Sequence, residues 1–166
     1  MAPLKRKGDL AELKIAADLA ARGCKISFPF GEDCDYDLVA DFDGVLHRVQ
    51  VKYTRSDGQM VLVRCRSHSL TKGKIRQTKY YTAKTVDWIA VYDQTSDGCY
   101  YLPSSELGAG RSGATLRLVP TRNGQRLGIR DACDYTDPDL SRTPREMEPA
   151  GLEPATSTMQ ASRSSS

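Results

Sequence analysis

The chain has no apolar run long enough to cross a membrane, and its start, Met1-Ala2-Pro3-Leu4-Lys5-Arg6-Lys7, lacks the apolar segment of an export signal. Its five cysteines, Cys24, Cys34, Cys65, Cys99 and Cys133, are odd in number, far apart and without a C-x-x-C pair. That spacing argues against a disulfide framework and a zinc knuckle, and for reduced thiols in a cytoplasm. There is no internal repeat. Hydrophobic residues make up 39% and charged residues 27%, which excludes a fibrous or wholly disordered protein. A length of 166 residues suits one domain with a real core. From Thr136 onward Pro, Ser, Thr and charges dominate, a composition that buries too little apolar surface to offset its ordering entropy. One folded domain over 1–135 and a disordered tail over 136–166 are therefore expected.

The net charge of +3 is modest, but it is unevenly spread. Between Gly44 and Lys84 there are ten Lys or Arg residues against the single acid Asp57, whereas Glu32 to Asp43 carries acids and no base. An acidic pocket beside a basic surface suits a metal site next to a polyanion. A solvated basic face is the plainer reading of the same run.

Asp9 to Arg22 reads as a helix, with Asp9 as N-cap, Glu12 in capping-box spacing and Gly23 as its end. Leu13, Ala16, Ala17 and Ala20 form an apolar stripe that Ile15 and Leu19 widen. Lys25 to Pro29 reads as a short strand. Tyr36 to Phe42 and Val45 to Tyr53 are β-prone segments joined at Asp43-Gly44, a strong hairpin signal because a type I′ turn needs positive φ at both central residues. Met60 to Arg66 is a third strand after the Ser56-Asp57-Gly58 turn. Ser67 to Lys79 reads as a loop leading into a short helix through about Lys84, and Asp87 to Tyr92 as a buried strand that Gly98 to Leu102 can pair with. The order α-β-β-β-α-β describes a mixed α/β sheet with helices covering its faces.

A two-residue turn at Asp43-Gly44 pairs Phe42 with Val45, and counting back sets Asp37 opposite Gln50 and Asp35 opposite Lys52. The side-chain period of two then puts Asp37, Gln50 and Lys52 on one face, while Tyr36, Leu38, Ala40, His47, Val49 and Val51 share the other, which is mainly apolar. The first face is chemical and the second is core. A carboxylate, an amide oxygen and an ammonium held together suit metal-assisted phosphodiester hydrolysis: Asp37 holds a hard cation, Gln50 adds an oxygen, and Lys52 orients water or steadies the charge on phosphate. A surface hairpin with a cross-strand Asp and Lys pair has the same spacing.

Tyr36-Asp37-Leu38-Val39-Ala40, the Asp43-Gly44 turn and Val49-Gln50-Val51-Lys52 resemble the PD-(D/E)XK nuclease motif. The resemblance is closest to the branch of small endonucleases associated with group I introns, some of which carry Gln in place of the second acid. Lys7-Gly8-Asp9-Leu10-Ala11-Glu12-Leu13, with Gly23 and Pro29, is similar to that branch's first helix and strand. The resemblance spans roughly Lys7 to Pro103 and implies a restriction-endonuclease-like core. It also implies a Mg²⁺ or Mn²⁺ site of Asp37, the Gln50 side chain and the Val51 carbonyl, with Lys52 catalytic and Glu12 contributing from the helix. Tyr36 stands where the motif has Pro, and Gln50 is neutral where the wider superfamily has Asp or Glu.

Other residues divide between chemistry and structure. Glu12 can serve the site or the helix cap. His47 falls on the apolar face and is read as packed, His68 is assigned no chemistry, and Tyr80 and Tyr81 are read as core. Arg64, Arg66, Lys72, Lys74, Arg76 and Lys79 are the candidates for phosphate contacts, in a region with no base-reading helix. The leading expectation is a cytoplasmic Mg-dependent DNA endonuclease, homo-oligomeric if it cuts both strands. A DNA-binding module that has lost catalysis and a nuclease acting on RNA are the alternatives.

Overall fold

The computed structural model describes residues 4–31, 34–71, 74–107, 113–121 and 128–141. Helix α1 (Leu4–Ala21) begins five residues ahead of the expected Asp9 cap, so Asp9 and Glu12 both lie inside it and the capping-box role of Glu12 is withdrawn. Gly23, at φ 92°, ends the helix. The Cys24 N–H donates to the Leu19 carbonyl at 3.1 Å and the Gly23 N–H to the Ala20 carbonyl at 3.0 Å, the paired bonds of a Schellman motif. The buried stripe is Ala11, Ile15 and Leu19, whereas Leu13 is 64% exposed. Ala17 and Ala20 are exposed as well. An alanine-rich helix offers several faces at helical spacing, and the face carrying Ile15 and Leu19 removes more apolar area from water.

Strands β1 (Lys25–Ser27), β2 (Leu38–Phe42), β3 (Val45–Thr54), β7 (Trp88–Asp93) and β8 (Gly98–Pro103) form one sheet in the order β1-β2-β3-β7-β8. Asp43 and Gly44 both take positive φ, 49° and 86°, and Phe42 pairs with Val45 as the turn requires. β3 and β7 are parallel, from Val49↔Trp88 to Thr54↔Asp93. The crossover between them carries β4 (Met60–Arg64), β5 (Arg66–Thr71) and β6 (Lys74–Tyr80). β4 leaves the sheet and pairs with β9 (Gly113–Arg117) as a second layer.

The class is mixed α/β, as expected, but the second helix is absent among the described residues. Within that segment 67–71 and 74–79 lie on β5 and β6, which pair with each other, and a turn follows them, with the Thr85 N–H donating to the Thr82 carbonyl at 2.9 Å. The Lys and Arg content there suits a solvated loop or helix surface, and the partner strand overrides that local preference.

The sheet has two cores. Ala11, Ile15 and Leu19 of α1 pack with Leu38, Ala40, Val49, Val51, Trp88 and Tyr101. On the opposite face Val61, Val63, Ala114 and Leu116 of the β4–β9 layer cover Ile89, Val91, Tyr100 and Leu102. The face carrying Gln50 and Lys52 is therefore core over much of its area and chemical only at one end. His47 is buried as expected: its Nδ1 accepts from Trp88 Nε1 at 3.3 Å, and its Nε2 lies 3.0 Å from the Leu140 carbonyl.

That last hydrogen bond corrects the domain boundary. Residues 136–141 pack on the domain, with Leu140 only 5% exposed and joined to the α1 core, so the folded unit extends past Thr136. The rest of the expected tail lies outside the described residues. Among the described residues no helix is long and apolar enough to cross a membrane.

Candidate active site

Asp37 immediately precedes β2 and continues its pairing, its N–H donating to the Val49 carbonyl at 3.0 Å. The register fixed by the Asp43-Gly44 turn thus carries through to Asp37 and sets it against Gln50. Gln50 Nε2 donates to Asp37 Oδ2. The Val51 N–H donates to the same oxygen at 2.7 Å, and Gln50 Nε2 also lies 3.3 Å from the Val51 carbonyl. The Asp37 carboxylate, the Gln50 amide and the Val51 carbonyl therefore meet at one point, with Gln50 only 6% exposed.

Burial pushes the Asp37 carboxyl above its ordinary value, against the opposing pull of the Val51 N–H, the Lys52 charge and the Gln50 amide. Glu12 is also raised, first by burial, then by the neighbouring charges of Asp37 and Asp9, with Lys52 pulling the other way. Glu12 of α1 and Asp37 line one cleft of about 390 Å³ together with Phe28, Pro29, Gly31, Cys34 and Tyr36. The helix thus delivers Glu12 to the site from its own side of the sheet.

Lys52, half-buried on β3, donates from Nζ to the Tyr81 hydroxyl at 3.1 Å and sits 4.7 Å from the Tyr81 ring centroid. The sequence offers no signal for this pairing, because Tyr81 lies beyond the hairpin that sequence patterning misreads. Tyr81 is buried, as expected, whereas Tyr80 is 43% exposed.

Among the described residues no group of three or more His, Cys, Asp and Glu side chains is placed to hold a metal ion. A cation at this point would rest on the mixed oxygen set of Asp37, Gln50 and Val51. That set fits a hard divalent ion once the Gln50 amide turns by 180° to present Oε1 where Nε2 now stands.

Of the candidate phosphate-binding residues, Arg64 ends β4 and Arg66 begins β5, both exposed. Lys74, Arg76 and Lys79 belong to β6, but their side chains, and Lys72 entirely, lie outside the described residues.

The family model for the PD-(D/E)XK endonuclease matches residues 3–138. The chain belongs to this family. The match takes in α1, the β2–β3 hairpin and Leu38 to Lys52, the segments on which the sequence resemblance rests. Among solved structures, the PD-(D/E)XK chain is similar to a bacterial homing endonuclease, I-Ssp6803I, at 26% identity and a TM-score of 0.63, over 81% of this chain and 88% of that one. It also matches Hjc, a Holliday junction resolvase from the archaeal hyperthermophile Archaeoglobus fulgidus, at 12% identity and a TM-score of 0.43, over 67% of this chain and 84% of that one. No curated protein sequence matches.

Proposed function

We propose that this PD-(D/E)XK endonuclease hydrolyses DNA phosphodiesters with Mg²⁺ or Mn²⁺, through Asp37, Gln50, Lys52 and Glu12. The observation that carries this reading is the meeting of the Asp37 carboxylate, the Gln50 amide and the Val51 carbonyl at one point. Asp37, the Gln50 oxygen and the Val51 carbonyl would hold the cation, which when bound supplies Lewis-acid polarisation of the scissile phosphate and a more acidic water. The chain's own groups do the rest. Lys52 donates hydrogen bonds to the attacking water or to a non-bridging phosphate oxygen as negative charge grows there. Glu12 adds a second carboxylate at the cleft, partly replacing the charge that Gln50 lacks. Arg64, Arg66, Lys72, Lys74, Arg76 and Lys79 neutralise the flanking phosphates.

The similarity to a homing endonuclease supports a role in double-strand cutting. One site handles one strand at a time, so that role calls for a homo-oligomer.

Nicking of supercoiled plasmid by the wild-type protein, scanned over divalent metals, tests the reading. Lys52→Ala is expected to bind DNA and fail to cut, because its loss removes a transition-state interaction and spares ground-state affinity. Asp37→Ala is expected to fail to cut and to bind Mg²⁺ or Mn²⁺ more weakly, having lost the cation's charged ligand. If both variants cut at wild-type rates, the site is wrong. A second reading, a DNA-binding module without catalysis, is favoured by one observation: the partner of Asp37 is a donor amide where the superfamily has an acid. Wild-type protein that binds DNA but never cuts it with any divalent metal would select it, and cleavage confined to RNA would replace the substrate.

A further inference from the structure

We propose that Tyr81 is the positioning residue for Lys52, fixing its ammonium at the cleavage site from the root of the β5–β6 hairpin. The inference rests on the nuclease reading and goes beyond it to a residue outside the motif. A lysine side chain has four rotatable bonds and correspondingly large rotamer entropy, so an ammonium that must meet a phosphate in one geometry needs an anchor. The Tyr81 hydroxyl accepts from Nζ at 3.1 Å, and the electron-rich ring lies 4.7 Å from the same nitrogen.

The anchor is itself immobile. Tyr81 is 6% exposed and packed among the β4–β9 core residues. Its N–H donates to the Cys65 carbonyl at 3.2 Å, closing the base of the β5–β6 hairpin. The following turn is held by Arg48, which donates to the carbonyls of Lys84 at 2.8 Å and Ala83 at 3.3 Å. The same guanidinium is fixed by Asp87, with Nη2 2.8 Å from Oδ1 and Nε 3.1 Å from Oδ2. Arg48, Gln50 and Lys52 alternate along one strand, so β3 carries both the catalytic lysine and the clamp that seats its anchor. The basic hairpin expected to meet DNA grows from the same point.

Tyr81→Phe tests this, because it keeps the ring and the packing and removes the oxygen. The variant is expected to lose roughly ten- to a hundredfold in kcat, the worth of a hydrogen bond to a charged group, with KM, DNA affinity and melting temperature kept. An independent readout is the ¹⁵N-edited NMR signal of the Lys52 ammonium, which should be visible in the wild type through slow exchange and lost in Tyr81→Phe. A Tyr81→Phe enzyme with wild-type kcat, or one losing DNA affinity and stability together with kcat, overturns the proposal. So does an ammonium signal that survives the substitution. If the wild-type protein proves not to cut, the nuclease reading fails by itself, and the ammonium signal alone decides whether Tyr81 holds Lys52.

Discussion

Removing residues 136–141 should destabilise the domain, although their composition reads as tail. Leu140 is 5% exposed within the α1 core, and loss of such a buried leucine side chain costs about 2–5 kcal/mol. The Leu140 carbonyl is also the partner of His47 Nε2 at 3.0 Å, and His47 has no exposed surface, so its loss strands a buried donor at about 1–3 kcal/mol. Arg22 would lose the Thr136 carbonyl at 2.8 Å and its pair with Asp137, whose 85% exposure makes that pair worth little. The sum, about 3–8 kcal/mol, lowers the melting temperature of a domain this size by roughly 10–25 °C. Scanning calorimetry should compare a chain ending at Tyr135 with one ending at Ser141, so that the difference belongs to this segment alone. Leu140→Ala in the full chain, which keeps the carbonyl, should account for the larger part. Melting of the two truncated chains within about 2 °C of each other would refute the reasoning.

Gln50→Glu places a second carboxylate against Asp37, so metal affinity measured by calorimetric titration should rise, while the metal-free protein melts lower from like-charge repulsion. Asp93 has no exposed surface; burial pushes its carboxyl up, but donors from Ser56 and Ser96 outweigh burial and hold it below the ordinary value. A depressed folded value contributes stability above the unfolded value and loses it as pH falls through the folded one. The stability gap between wild type and Asp93→Asn should therefore be full at neutral pH and close on acidification below the normal carboxylate range; a gap independent of pH would refute the assignment. Neutralising Lys72, Lys74, Arg76 and Lys79 together should weaken DNA binding at low salt and flatten the plot of log affinity against log salt, by roughly one unit of slope for each phosphate that is no longer neutralised. An unchanged slope would move the DNA-binding surface elsewhere.

The β2–β3 register was legible because Asp43-Gly44 admits few turn geometries, and that one local fact carries Asp37 to Gln50 and Lys52. His47 was legible as packed for the same reason. The β4–β9 layer was not, because Met60 finds its partner at Arg117, far along the chain, and no local pattern encodes that pairing. The β5–β6 hairpin was misread because its charged residues resemble a solvated loop. The buried face of α1 was ambiguous because alanines give nearly every face some apolar character. Leu140 is a single apolar anchor in a polar stretch, where average composition outweighs one residue. Tyr81 was legible as buried, but its grip on Lys52 depends on the unread hairpin.

The strand that carries Gln50, Val51 and Lys52 pairs with β2 over Val45–Val49 and with β7 over Val49–Thr54, and has a packed layer above and below. Those of its amides that bond to β7 can meet solvent only when the sheet comes apart, so their hydrogen exchange should report the free energy of global unfolding. The β5–β6 ladder, which among the described residues pairs with no further strand, can open without that cost. The molecule thus separates a region that must keep its geometry through every turnover from one free to adjust to a nucleic-acid surface, and Tyr81 stands at the seam between them.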